Sequence, residues 1–173
     1  MSNVLVVVDV QKGFINENTK HIVPKIAKLV ENKFFDHVIF TKFVNVEGSP
    51  YKSIMNWHRF SYPPENEIVD ELQTKNCKVF VKTGYTIFTP EVIDYFLTHN
   101  INEVYLVGID TDSCVLKSAA DSFERGYVTY VLADYCASHY GLEYHKAALM
   151  ILKKFIGENR IVYGNFKETP FKT

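Results

Sequence analysis

The chain reads as an α/β protein: a three-layer αβα domain around a six-stranded, mostly parallel sheet. Two observations predict this. Short, β-branched apolar runs alternate with segments of helical period along the whole chain. The first run, Val4-Leu5-Val6-Val7-Val8, is apolar at every position. That is the pattern of a strand covered on both faces, and such strands belong to parallel sheets flanked by helices. The chain has 173 residues, 47% of them hydrophobic, which is enough for one core. Residues 1–173 are therefore read as one domain.

Val4 to Val8 is the first strand. Ile22 to Phe34, with Ile22, Ile26, Leu29 and Val30 at helical spacing, predicts a helix. His37 to Thr41 is the second strand. Val44 to Pro63 has no period and carries Gly48, Pro50, Tyr51, Trp57, His58, Phe60 and Tyr62. An irregular stretch this long serves as a lid or an interface. Pro64 and Glu65 predict the start of a short helix to Leu72, and Lys78 to Val81 a third strand. Thr89-Pro90-Glu91 opens a helix to Thr98, with Thr as N-cap and Pro at the first helical position. Glu103 to Val107 is the fourth strand. A helix from Thr111 to Arg125 ends at Gly126, a C-cap glycine. Tyr127 to Leu132 is the fifth strand, Leu142 to Ile156 the last long helix, and Arg160 to Tyr163 the sixth strand. Lys167 to Thr173 is polar and reads as a loose tail. Right-handed crossovers place helices on both faces.

Composition limits the function classes. The net charge is −1 and the lysines are scattered, so no basic face offers itself to nucleic acid. No apolar segment approaches the roughly 18 residues that span a bilayer. Cys77, Cys114 and Cys136 are odd in number, and Met1 leads straight into a strand. Free thiols in a reducing, cytoplasmic setting are expected. After Asp9 the chain reads Val10-Gln11-Lys12-Gly13, which is no phosphate-binding turn.

Three residues carry chemistry. Asp9 ends the first strand, Lys82 ends the third, and Cys114 falls in the first turn of the helix after the fourth. In a parallel sheet these positions gather at the carboxyl edge. Each has a plainer reading: a turn cap, a surface lysine, a small buried hydrophobe. It is their conjunction that points to a site. The helix N-terminus and the Lys82 cation favour a Cys114 thiolate. Asp9 can accept the thiol proton and return it to a leaving amine. The reaction open to such a set is acyl transfer through a thioester, with backbone N–H groups near the start of the helix holding the oxyanion.

The motifs, in this order and spacing, resemble those of the isochorismatase-like cysteine hydrolases, which include nicotinamidases and ureidoacrylate, carbamoylsarcosine and biuret hydrolases. They are Val7-Val8-Asp9-Val10-Gln11 with Phe14, Val81-Lys82 with Phe88-Thr89, Gly108 to Val115 with Ala119-Ala120, Asp134 with Cys136-Ala137, and His145 with Ala148-Leu149. The resemblance implies an Asp9-Lys82-Cys114 triad, a sheet order of 3-2-1-4-5-6 and a cis peptide between Ile109 and Asp110. It also implies oxyanion contacts from Ile109, Asp110, Ser113 and Cys114, a small amide or ureide as substrate, and a homo-oligomer. The other reading is a non-catalytic binding or scaffold member of the same fold. Nicotinamidases bind a metal through an Asp-x-His pair after the second strand. Here that stretch reads Thr41-Lys42-Phe43-Val44-Asn45, so neither metal nor other cofactor is expected, and His58 alone is no ligand set. Asp110 stands where relatives often have a small residue; it either points at the ligand, tunes the thiol or faces solvent. Phe14, Trp57, Tyr85, Phe88 and Tyr135 are expected to line an aromatic pocket.

Overall fold

The computed structural model describes residues 1–72, 74 and 76–166. Its strands are β1 (Ser2–Val8), β2 (His37–Phe43), β3 (Lys78–Lys82), β4 (Ile101–Ile109), β5 (Val128–Ala137) and β6 (Ile161–Val162). They form one sheet in the order β3-β2-β1-β4-β5-β6, with every neighbouring pair parallel. The helices are α1 (Val23–Leu29), α2 (Pro50–Ser53), α3 (Pro90–Thr98), α4 (Leu116–Glu124) and α5 (Leu142–Ile156). A π-helical turn, Thr111–Val115, leads into α4. No helix among the described residues is long and apolar enough to cross a membrane.

Sheet alternation divides the core in two. Val4, Val6 and Val8 face one cluster with Val92, Phe96, Ala119, Leu149 and Leu152, from α3, α4 and α5. Leu5 and Val7 face the other, with Ile26 and Leu29 of α1. A strand covered on both faces has no polar position to spare, which is why the first run is apolar throughout.

The elements differ from expectation where tertiary contacts outweigh local pattern. The first helix stops at Leu29 rather than Phe34. There the Asn32 side chain accepts a hydrogen bond from the Phe34 amide at 2.8 Å and turns the chain away. Residues 64–72 form no helix. They run as a strap beside residues 10–13, with the Gly13 amide on Glu65 O (2.9 Å), Lys12 on Glu67 O (2.8 Å) and Val69 on Val10 O (3.1 Å). Buried Gln11 ties this strap to the sheet, donating to the carbonyls of Phe43 and Asn66 and accepting from the Phe43 amide, all at 2.8 Å. β4 and β5 extend further than their apolar runs suggest, because Gly108 pairs with Cys136 and Ile109 with Ala137 beyond a register break. The irregular stretch holds the short α2, whose cap Ser49 accepts from the Lys52 amide. The expected loose tail, 167–173, lies outside the described residues.

Gly108 is a glycine that the fold requires. Its φ is +120°, and a Cβ there would lie 2.1 Å from the Val8 carbonyl oxygen. β1 and β4 thus reach the carboxyl edge pressed backbone to backbone, and Asp9 and Asp110, one and two residues further on, leave the sheet at that same edge.

Candidate active site

Asp9 follows the last residue of β1 with a φ of 47°, in the left-handed region. This turn keeps its carboxylate inside the molecule rather than along the strand axis. Thr41, from the neighbouring β2, donates its hydroxyl to Asp9 Oδ1 at 2.7 Å and accepts from the Asp9 amide at 3.3 Å. Lys82 is the last residue of β3, two strands from β1, and so roughly 10 Å away at ordinary strand spacing. Its long stem crosses over β2, passing the Phe43 ring, whose centroid lies 5.5 Å from Nζ. The ammonium reaches Asp9 Oδ2 at 2.7 Å, with both side chains sealed from solvent at 1% and 0% exposure. It also donates to the carbonyls of Gly84 (2.7 Å) and Tyr85 (3.1 Å). Cys114 lies in the π-helical turn and is 6% exposed, its Sγ 3.4 Å from Lys82 Nζ. The sheet edge therefore brings Asp9, Lys82 and Cys114 together around one sulfur.

The charge state differs from the primed thiolate expected above. Burial pushes the Cys114 thiol above its ordinary range. Lys82 works against this, and the Asp9 carboxylate adds to it. The reason is that desolvation of a buried sulfur anion outweighs the field of Lys82, part of which Asp9 and Asp110 cancel. For Lys82, burial acts against the ammonium, but Asp9 and Cys114 outweigh it and the net displacement is upward. The resting arrangement is a neutral thiol beside a carboxylate–ammonium pair.

Around Cys114 opens a cavity of about 230 Å³. Phe14, Trp57 and Tyr85 line it, as do Asp110, Ser113 and Cys114. Phe88 and Tyr135 do not. Phe88 is core, packed against Phe96 and Tyr127 with the Arg125 guanidinium above its ring. Tyr135 belongs to the opposite core cluster, and its hydroxyl accepts from the Phe166 amide at 3.1 Å. Sequence proximity to Lys82 and to the end of a strand suggested both, but their side chains leave on the wrong faces. Ile109 is fully buried at the end of β4, and the peptide bond joining it to Asp110 is cis. The Ser113 amide is engaged by Asp110 O at 3.2 Å.

Asp110 resolves into a specific contact. Its Oδ1 accepts from the His139 amide at 2.7 Å, and its Oδ2 faces His139 Nδ1 at 2.5 Å. Burial raises its pKa and His139 pulls it back, leaving it above the ordinary carboxylate value. It thereby fastens the turn after β5, which carries His139 and Tyr140 into the cavity wall. These two residues, with Phe43, Tyr51, Met55 and Asp112, complete the lining. A signal for His139 and Tyr140 was available, since they follow β5 at the same carboxyl edge. Tyr51 carries a hydroxyl that burial, followed by Tyr85, Cys114 and Asp9, keeps protonated. His58 lies at the surface, bonded to Asn56. Among the described residues no group of three or more His, Cys, Asp or Glu side chains is placed to hold a metal ion.

Residues 3–159 match the family model described as the isochorismatase domain. The chain is 34% identical over 99 residues to isochorismatase family protein 2B of Dictyostelium discoideum, a match covering 51% of this chain and 46% of that protein. It therefore spans less than half of that relative. It is 29% identical over 159 residues to a nicotinamidase/pyrazinamidase of Mycobacterium tuberculosis, covering 77% of this chain and 85% of that one. In fold it is similar to an isochorismatase-like hydrolase from Alkaliphilus metalliredigens, with a TM-score of 0.82, 20% identity, and coverage of 94% and 95% of the two chains.

Proposed function

The chain belongs to the isochorismatase family, and from that premise we propose that it is a cysteine hydrolase cleaving a carbon–nitrogen bond of a small amide or ureide. The observation that carries this reading is the set of contacts at Cys114. The Cys114 thiol stands beside the buried Asp9 side chain, and the Lys82 ammonium that pairs with Asp9 lies 3.4 Å from the sulfur.

In this mechanism Asp9 takes the thiol proton as Sγ attacks the substrate carbonyl carbon. A thiol that is neutral at rest needs such a base in contact. Backbone N–H groups of Asp110 and Cys114 hold the oxyanion; the Ser113 amide is already engaged. Asp9 then returns the proton to the nitrogen, the C–N bond breaks, and an amine or ammonia leaves. Water attacks the resulting thioester with Asp9 again as base, releasing a carboxylic acid and restoring the thiol. Lys82 keeps a positive charge beside each of these transfers, stabilising the carboxylate and the developing sulfur anion.

The test is ammonia release over a panel of small amides and ureides by the wild type, Cys114→Ala and Asp9→Asn. Both variants should lose activity by about 10³-fold or more. A mass increment on Cys114 in acid-quenched turnover should report the thioester. Full retention of activity by Cys114→Ala would remove the sulfur from the reaction.

A further inference from the structure

The cavity wall carries an unbalanced charge. Among the described residues its lining includes two carboxylates, Asp110 and Asp112, and neither lysine nor arginine. The cation nearest the thiol, Lys82, is committed to Asp9 at 2.7 Å. Asp110 is shared with His139 through both oxygens. Asp112 forms no ion pair among the described residues, and its Oδ1 is buried without a hydrogen-bond partner. The remaining wall is largely flat and aromatic: Phe14, Phe43, Tyr51, Trp57, Tyr85 and Tyr140.

Resting on the hydrolase reading above, we infer that this site takes a flat, uncharged amide or ureide, and that it rejects substrates bearing a carboxylate. The Oδ1 of Asp112 is sealed from solvent and out of a ligand's reach, so Asp112 acts on a bound molecule through its charge. A substrate carboxylate would have to shed its water, would meet two acidic side chains, and would find no lysine or arginine in the wall to replace its hydration. A site that leaves a charge unpaired discriminates strongly against that substrate, whereas aromatic walls alone discriminate weakly between compounds of equal shape.

The experiment uses pairs of equal shape that differ by one carboxamide for one carboxylate. N-carbamoylglycinamide is compared with N-carbamoylglycine, and benzene-1,3-dicarboxamide with 3-carbamoylbenzoate. The neutral member of each pair should be favoured about tenfold or more in kcat/KM. Binding to Cys114→Ala protein, followed by calorimetry, should show the same order. Asp112→Asn should shrink the preference to about threefold or less, because it removes the like charge and keeps the shape. Equal or reversed preference in the wild type would overturn the inference and leave the hydrolase reading standing. If no compound is hydrolysed, the binding order on Cys114→Ala still decides the inference while the hydrolase reading fails on its own. Absence of binding by both members of both pairs, or an undiminished preference in Asp112→Asn, would also overturn it.

Discussion

Replacing Lys82 with Met removes the ammonium from the most deeply buried ion pair among the described residues. Nζ lies 2.7 Å from Asp9 Oδ2, and neither side chain is more than 1% exposed. Two carbonyls, those of Gly84 and Tyr85, lose their donor in the same step. Removing one partner of a buried pair leaves the other charge desolvated and unanswered, at a cost of about 3–5 kcal/mol. For a domain of this size each kcal/mol lowers Tm by about 2–4 °C, so Lys82→Met should melt roughly 6–20 °C below the wild type. Asp9→Asn should be similarly harmful, since it strands the ammonium. The double variant should cost less than the sum of the two by about 2–3 kcal/mol, because neither charge is then left alone. The folded-state pKa of Lys82 is raised. Its contribution is therefore complete below the unfolded value of about 10.4 and fades only as pH climbs through the folded one. Measurement at pH 7 thus captures it whole. Urea unfolding followed by far-ultraviolet circular dichroism, fitted for both single variants and the double, gives the coupling. A single-variant loss under about 1 kcal/mol, or strict additivity, would refute the claim that the pair is one electrostatic unit.

Two further outcomes follow from particular residues. Burial pushes the Cys136 thiol up to about 12, and the Cys114 thiol is also raised. An unfolded thiol ionises near about 8.5, so between there and the folded value the unfolded chain sheds protons that the native state keeps. Stability should then fall with rising pH by about 1.4 kcal/mol per pH unit for each buried thiol. Cys136→Ala should remove one such share from the slope of urea stability against pH between 9 and 11 under reducing conditions; an unchanged slope contradicts the assignment. Gly108→Ala would drive a Cβ to 2.1 Å from Val8 O at a φ of +120° and should cost about 3 kcal/mol or more. Gly84→Ala, with nothing within 4 Å of its Cβ, should melt close to the wild type. Comparable melting of the two variants would mean that β1 and β4 are not held at this closeness.

The parallel sheet and the places of Asp9, Lys82 and Cys114 were legible in the sequence because both are local properties. A run such as Val4 to Val8 announces burial on two faces, and the residue that ends such a run stands at the carboxyl edge whatever the rest of the chain does. Helix α5 and the Thr89 cap were legible for the same reason. Other features were fixed only when distant segments met. Residues 64–72 gave up a helix to bond with residues 10–13, and Phe88 and Tyr135 turned into the two cores although their sequence positions suited a pocket. The Cys114 thiol became harder, not easier, to ionise. Each of these is a sum over neighbours remote in sequence: which face has room, which amides need partners, how much water is excluded and whether a cation is already taken. Desolvation and pairing depend on the whole packed environment, so no pattern of spacing along the chain could have set their sign.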